Sequence, residues 1–267
     1  MPHASIDGFE MYYQRHGTQG EPLVLVHGYT GDVSDWQHQI AGFAATHRVL
    51  VMDHRGHGRS GAPRDRDSYT VERMADDVEA LAAHVGMGRY HLVGHSLGGM
   101  IAQEIALRSG GRLLSLTLED TLHDFAIGRS QPVRQLFAAG LRLAEEQGMA
   151  AVARLPAPPR PPHHPRERFA QEQARLARMA VDGFVGGWQA LCRWPGTQQR
   201  AHTIRTPTLV ICGELDAPSI PGSRWLAEAI PGARLEIVPE AGHSPQLERP
   251  ELFNAALERH MADRSGG

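Results

Sequence analysis

Six short apolar runs alternate with helical patterns along this chain, and that alternation limits the fold more than any other feature. Residues 23–26, 48–53, 90–94, 113–118, 207–212 and 234–238 are largely continuous apolar stretches of strand length. Strands buried on both faces read this way. Between them, residues 35–45, 71–85, 97–109, 222–229 and 250–262 carry helical patterning. Strands alternating with helices join through right-handed crossovers into a mostly parallel sheet covered on both faces, and ligands then bind at the carboxyl ends of the strands. Ahead of this series, Ile6-Asp7-Gly8-Phe9 has the Asp-Gly pair of a tight hairpin between two short antiparallel strands.

The alternation stops near residue 121 and resumes near 204. The expected organisation is therefore an α/β core made of residues 1–121 and 204–267, with residues 122–203 inserted as a helical lid. Residues 156–165 are rich in proline, which is incompatible with a packed helix, so this stretch reads as a semi-rigid exposed connector between lid helices. No internal repeat is present.

Composition narrows the chemistry. A chain of 267 residues, 41% hydrophobic and 21% charged, is long enough for one catalytic unit with a full core. The net charge is −3 and the arginines are spread among acidic residues, so no nucleic-acid partner is expected. No apolar run approaches the roughly 18 residues of a membrane span, and the first ten residues lack the layout of a secretion signal. A cytoplasmic protein without membrane contact is the expectation. Cys192 and Cys212 are the only cysteines and read as reduced thiols. All 27 basic residues are arginine, which excludes Schiff-base chemistry, pyridoxal phosphate attachment and a P-loop lysine, since each needs a primary amine.

The strongest local signal is Gly94-His95-Ser96-Leu97-Gly98-Gly99, placed where a buried strand ends and a helix begins. It matches the nucleophile-elbow pattern G-x-S-x-G. A serine that must project into a cleft from a sharp, strained turn needs small residues two before and two after it, and glycine stands at both places. The N-terminal amides of the following helix favour negative charge developing beside Ser96. As a plain helix cap, Ser96 would leave the remaining signals unexplained.

Serine is a poor nucleophile until a base takes its proton. Of 16 histidines, His243 stands out because Ala241-Gly242-His243-Ser244-Pro245 follows the last apolar strand, where a side chain can reach over the carboxyl edge of the sheet. The histidine in turn needs a carboxylate to hold its tautomer. Asp216 follows the run at 207–212 and gives the chain order Ser, Asp, His. Glu119 and Asp120, at the end of another strand, are the alternative acids. Two main-chain donors are expected to hold an oxyanion: the amide of Leu97, directly after the nucleophile, and that of Tyr29, in the turn His27-Gly28-Tyr29-Thr30-Gly31. The side chains of Tyr29 and Leu97 are then free to shape the pocket.

His54 and His57 fit no helical ligand pair and lie among glycines, so a structural loop tied down by Asp53 and Arg55 is favoured over a metal site. No metal and no cofactor are expected. Trp36 and Met100 flank the site in sequence, and with Phe125 and Trp188 of the insertion they are the candidate pocket residues; Phe137, Phe184 and Trp194 are further aromatics of the same segment. The oligomeric state leaves no trace in the sequence.

Taken together, His27-Gly28-Tyr29, Asp53-His54-Arg55-Gly56-His57-Gly58-Arg59-Ser60, Gly94-His95-Ser96-Leu97-Gly98-Gly99, residues 213–216 and Gly242-His243 resemble the α/β-hydrolase superfamily, in the branch holding small esterases, lactonases, cofactor-free perhydrolases and carbon–carbon bond hydrolases. The resemblance covers nearly the whole chain outside residues 122–203. It implies a Ser96, Asp216, His243 triad, oxyanion donors at Tyr29 and Leu97, and a lid that supplies much of the substrate pocket. Serine at position 96 departs from the aspartate of similar haloalkane dehalogenases and epoxide hydrolases, which argues against both activities. The expected reaction is hydrolysis of a small, fairly apolar carboxylic ester or lactone through an acyl-enzyme. A carbon–carbon hydrolase or perhydrolase on the same core, or a non-catalytic small-molecule receptor, are the alternatives.

Overall fold

A computed structural model describes residues 2–156 and 161–263. Eight strands form one sheet: β1 (His3–Ile6), β2 (Phe9–His16), β3 (Pro22–Val26), β4 (Arg48–Met52), β5 (Tyr90–His95), β6 (Leu113–Glu119), β7 (Thr208–Gly213) and β8 (Arg234–Val238). Their spatial order is β1-β2-β4-β3-β5-β6-β7-β8. The hairpin β1–β2 and the pair β2–β4 are antiparallel, and every later pair is parallel. The Asp-Gly signal is realised as a two-residue turn in which Ile6 pairs with Phe9, with Asp7 at φ 46° and Gly8 at φ 81°.

The helices of the core follow the sequence pattern closely: α1 (Gln37–Phe43), α2 (Val71–His84) and α3 (Leu97–Ser109) lie between strands. Among the described residues five α-helices lie between β6 and β7: α4 (Ala126–Arg129), α5 (Gln131–Gln147), α6 (Met149–Val152), α7 (Arg166–Arg178) and α8 (Val181–Arg193). Then come α9 (Ile220–Ala229), the short α10 (Pro245–Glu248) and α11 (Pro250–Ala262). Helix α2 starts where the Thr70 side chain accepts from the Arg73 N–H, a conventional N-cap. Of the proline-rich connector, residues 157–160 lie outside the described residues. Among the described residues no helix is long and apolar enough to cross a membrane.

Side-chain alternation along the parallel strands divides the core. Val24, Val26 and Leu92 pack on one face with Met74, Val78 and Ile101 from α2 and α3. Leu23, Leu25 and Val93 pack on the other with Trp36, Phe253 and Leu257, beside α1 and α11. This two-sided burial is why the strands read as unbroken apolar runs. Strand order reverses about β3, whose neighbours are β4 and β5, so the loops leaving β3 and β5 part at the carboxyl edge and open a crevice there.

Candidate active site

Ser96 stands at the end of β5 as the residue before α3, with φ 54° and ψ −116°. A non-glycine residue in that region carries about 1–3 kcal/mol of strain and persists only when its surroundings hold it. Here the Ser96 N–H donates to Glu119 O at 2.9 Å, and Ser96 O accepts from Thr121 Oγ1 at 2.7 Å. Both bonds tie the turn to β6 and the residues that follow it. The turn is sharp enough that a methyl group at Gly98 would overlap the Val26 carbonyl oxygen, and one at Gly94 would overlap Gly98 O. The spacing of the two glycines therefore has a steric cause.

The loop after β3 approaches the same point. A Cβ on Gly28 would lie 3.1 Å from Ser96 Cβ and 2.9 Å from His95 Nδ1. The turn is closed by Gly31 N–H donating to Gly28 O at 3.0 Å, with Thr30 at φ 61°. The amide of Tyr29 sits in this turn, and that of Leu97 in the first turn of α3, where no intrahelical acceptor exists. The Tyr29 ring lines the cleft, stacks 5.7 Å from Phe184 and donates its hydroxyl to Phe184 O at 2.6 Å. Leu97 differs from expectation: its side chain is fully buried in the core and does not line the cleft.

His243 follows β8, and its side chain is 49% exposed. Its Nδ1 lies 2.7 Å from Asp216 Oδ2, on the loop after β7. Burial raises the Asp216 carboxyl, but the bond and charge of His243, with further bonds from Asp120 and Ser219, outweigh it and bring the pKa down to about 2. Asp216 is thus ionised at neutral pH and holds Nδ1 as the protonated nitrogen. Glu119 is wholly buried, accepts from the Gln246 N–H at 3.1 Å, and is raised well above the usual range by burial. Asp120 lies beside Asp216: ligating atoms of Asp120, Asp216 and His243 all fall within 4.8 Å of one another. A metal ion would have to compete there with the Nδ1–H to Asp216 hydrogen bond for the same nitrogen.

The cleft above these residues measures about 480 Å³. Its apolar wall includes Tyr29, Phe137, Phe169, Phe184, Leu176 and Leu247. None of the four pocket candidates lines it. Trp36 is fully buried against Phe253, because it points to the α1–α11 side while its neighbour Asp35 faces the cleft. Met100 is buried in the core on the α3 side. Trp188 stacks on Phe137 at 3.6 Å and lies with its edge contact to Phe125 inside the segment between β6 and β7. Phe125, the fourth, packs in that same cluster and is likewise not a cleft residue.

Sequence reasoning missed the contribution of α7. Phe169, Glu172, Gln173 and Leu176 all line the cleft and stand at i, i+3, i+4 and i+7, a single helix face whose spacing was readable. The same helix is tied to the loop after β3: Arg175 pairs with Asp35 at 2.6 Å and Asp32 at 3.3 Å, and Arg168 pairs with Asp35. Also missed was His95, whose Nε2 contacts His243 O. The loop holding His54 and His57 is anchored as expected, with Asp53 accepting from Val33 and Arg59 amides at 2.8 Å and Arg55 clamped on Asp77 at 2.6 and 2.7 Å.

Comparison with known proteins agrees with this architecture. The α/β hydrolase fold family matches residues 21–250. A protein named carbamate hydrolase RutD, from Azorhizobium caulinodans, is 33% identical over 266 residues, covering 96% of this chain and 97% of that one. An enol-lactonase from Burkholderia xenovorans LB400 superposes with a TM-score of 0.87 at 27% identity, covering 98% and 100% of the two chains. A thermophilic esterase from Thermogutta terrifontis gives 0.85 at 28%, covering 96% and 94%. Since the family's pattern extends over β3 to β8 and the crevice loops, and a relative matches over 96% of the chain, this chain belongs to the α/β-hydrolase family and is a hydrolase by descent.

Proposed function

We propose that this enzyme is a serine hydrolase that cleaves a small, fairly apolar carboxylic ester or lactone through an acyl-enzyme. Ser96 attacks the carbonyl carbon while His243 accepts the hydroxyl proton, and Asp216 stabilises the imidazolium that forms. The amides of Tyr29 and Leu97 hold the developing oxyanion; loss of one such donor costs about 3–4 kcal/mol of transition-state stabilisation. His243 then gives the proton to the leaving alcohol oxygen; in the second step it takes a proton from water as the water oxygen attacks the acyl carbon, and returns it to Ser96 Oγ as the acyl–Oγ bond breaks and the acid leaves. Residues 122–203 act as a helical lid over this chemistry, and a small molecule is the sole substrate. A cytoplasmic setting suits its two free cysteines.

The observation that supports this reading is the strained Ser96 at a strand-to-helix junction, whose preceding residue His95 contacts the main-chain oxygen of His243, itself paired with Asp216 at 2.7 Å. The apolar wall of the cleft supports an uncharged acyl group. Relatives named as an enol-lactonase and an esterase favour oxygen esters. A fluorophosphonate probe should label the wild type and fail to label Ser96→Ala. Nitrophenyl esters and simple lactones should turn over faster than a vinylogous diketone. Absence of labelling in folded wild-type protein would replace the catalytic reading with a small-molecule receptor, and preference for the diketone would replace it with carbon–carbon bond hydrolysis.

A further inference from the structure

Asp120 is a buried acid with no part in the mechanism above. It follows β6 in a left-handed conformation, φ 40°, that is unusual for a residue other than glycine. Its Oδ1 accepts from the Gly213 N–H at 3.0 Å and from the Cys212 thiol at 3.4 Å. Among the described residues no N–H or hydroxyl donor reaches its buried Oδ2. The hydrogen-bonding neighbour left to it is the Asp216 carboxyl group.

Two carboxyl groups in contact cannot both be ionised without a cation between them, so one must carry a proton. The groups facing Asp120 are Glu119 on its own strand, Cys212 and Asp216 on and after β7, and His243 after β8. None is a permanent cation, and His243 is bonded to Asp216. The charge therefore rests on Asp216, and Asp120 is the neutral member.

We infer that Asp120 is a positioning residue of the hydrolytic site: it keeps its proton through the catalytic cycle, and its Oδ2–H donates to Asp216, fixing the carboxylate that orients His243. The inference rests on the Ser96–His243–Asp216 assignment. Burial, followed by the bond and charge of Asp216, raises the Asp120 carboxyl well above its ordinary range, in agreement with the geometry. No bond is made or broken at Asp120, and no proton leaves it.

The test compares wild type with Asp120→Asn, whose amide retains both the acceptor and a donor, and Asp120→Ala, which retains neither. Asp120→Asn should keep kcat within about five-fold, and the acid limb of its kcat/KM profile should move by less than about 0.3 pH unit. Asp120→Ala should lose about 10- to 100-fold in kcat with KM little changed. Were Asp120 ionised, Asp120→Asn would remove a negative charge beside the site and lower the acid limb by about one pH unit or more, which would overturn the inference. An Asp120→Ala kcat equal to that of wild type would also overturn it. Infrared difference spectra at pH 7 give an independent reading: the wild-type-minus-Asp120→Asn difference should contain one carboxylic acid C=O band, since the bands of other raised acids such as Glu119 cancel between the two proteins, and its absence from that difference defeats the proposal even if Asp120→Ala does not fold. Because this band needs no turnover, it also separates failure of the Asp120 assignment from failure of the ester-hydrolase reading, which the fluorophosphonate probe reports.

Discussion

The Nε2 of His95 lies 2.6 Å from the main-chain oxygen of His243, so the residue immediately before Ser96 holds the backbone that carries the candidate base. Burial, and then the nearby His243, press the His95 pKa down to about 3. The ring is neutral at neutral pH, and with Nδ1 buried and unpartnered its proton sits on Nε2 and is donated to that oxygen. His95→Phe fills similar space without the donor. It should lower kcat about ten-fold or more with little change in KM, because a shift of the base by a fraction of an ångström weakens proton transfer rather than binding. Steady-state kinetics on one nitrophenyl ester would check this, and an unchanged kcat would show that the loop holds His243 without His95.

Asp216 is proposed as the acid because His243 Nδ1 lies 2.7 Å from its Oδ2, and a pair of variants tests the proposal. Asp216→Asn should reduce kcat by about 10⁴, the loss expected when the base is held in the wrong tautomer. Glu119→Gln should lose less than ten-fold, since Glu119 is buried, raised well above the usual carboxylate range and bonded to Gln246 rather than to the histidine. The reverse ranking would move the acid to the end of β6.

The contrast between these residues explains what could be read from the sequence. Strands buried on both faces must be apolar throughout, so Leu23, Val93 and Ile211 announced themselves, as did the glycines that let α3 approach β3. Ser96, Asp216 and His243 could be proposed together because each follows a strand at the edge where loops converge. Trp36 and Met100 were misplaced because proximity in sequence does not say which face a side chain takes, and a 3₁₀ turn ahead of α1 sends Asp35 and Trp36 to opposite sides. His95 and Asp120 were not identified in their roles, since a hydrogen bond to a main-chain oxygen and a contact between two acids depend on distances that no local pattern encodes.

Stability should depend on the histidines under the loop after β4. His27, His54 and His57 are buried with ring centroids 4.2, 5.5 and 6.1 Å apart. Burial first, and for His27 and His54 neighbouring histidine charge next, lowers them all, His54 to about 3 and His57 to about 4. In the unfolded chain they titrate near 6.5, so between about pH 6.5 and 4 the unfolded state binds more protons and stability falls as pH falls. Buried acids such as Asp53, raised to about 7 by burial, act in the opposite sense over part of this window, so the difference between variants is the cleaner measure. His54→Asn should flatten the dependence by up to about 1.4 kcal/mol per pH unit in urea unfolding between pH 4.5 and 6.5. Parallel wild-type and variant curves would mean that His54 is not held neutral in the folded protein.

Within the segment between β6 and β7, aromatics that look alike in sequence should behave differently. Phe169 and Phe184 line the cleft, whereas Trp188, as buried as Phe184, does not, being stacked on Phe137 and edge-on to Phe125. Shortening a cleft residue removes surface that a substrate would bury, worth about 25 cal/mol per Å², and for Phe184 it also removes packing in the cluster with Met149, Val152 and Met179. Phe184→Ala also loses its stack on Tyr29, while the Tyr29 hydroxyl bond to the residue 184 carbonyl survives because the acceptor is main chain. Phe169→Ala and Phe184→Ala should therefore raise KM for longer acyl chains by about three- to thirty-fold, with smaller effects on acetyl esters. Trp188→Leu opens a void behind Phe137, so it should lower the melting temperature by several degrees while disturbing KM less than either cleft variant. Measured on the same ester series, a larger KM change for Trp188→Leu than for Phe169→Ala would mean that substrate reaches the interior of the helical segment, and the pocket would have to be redrawn around Phe125 and Trp188.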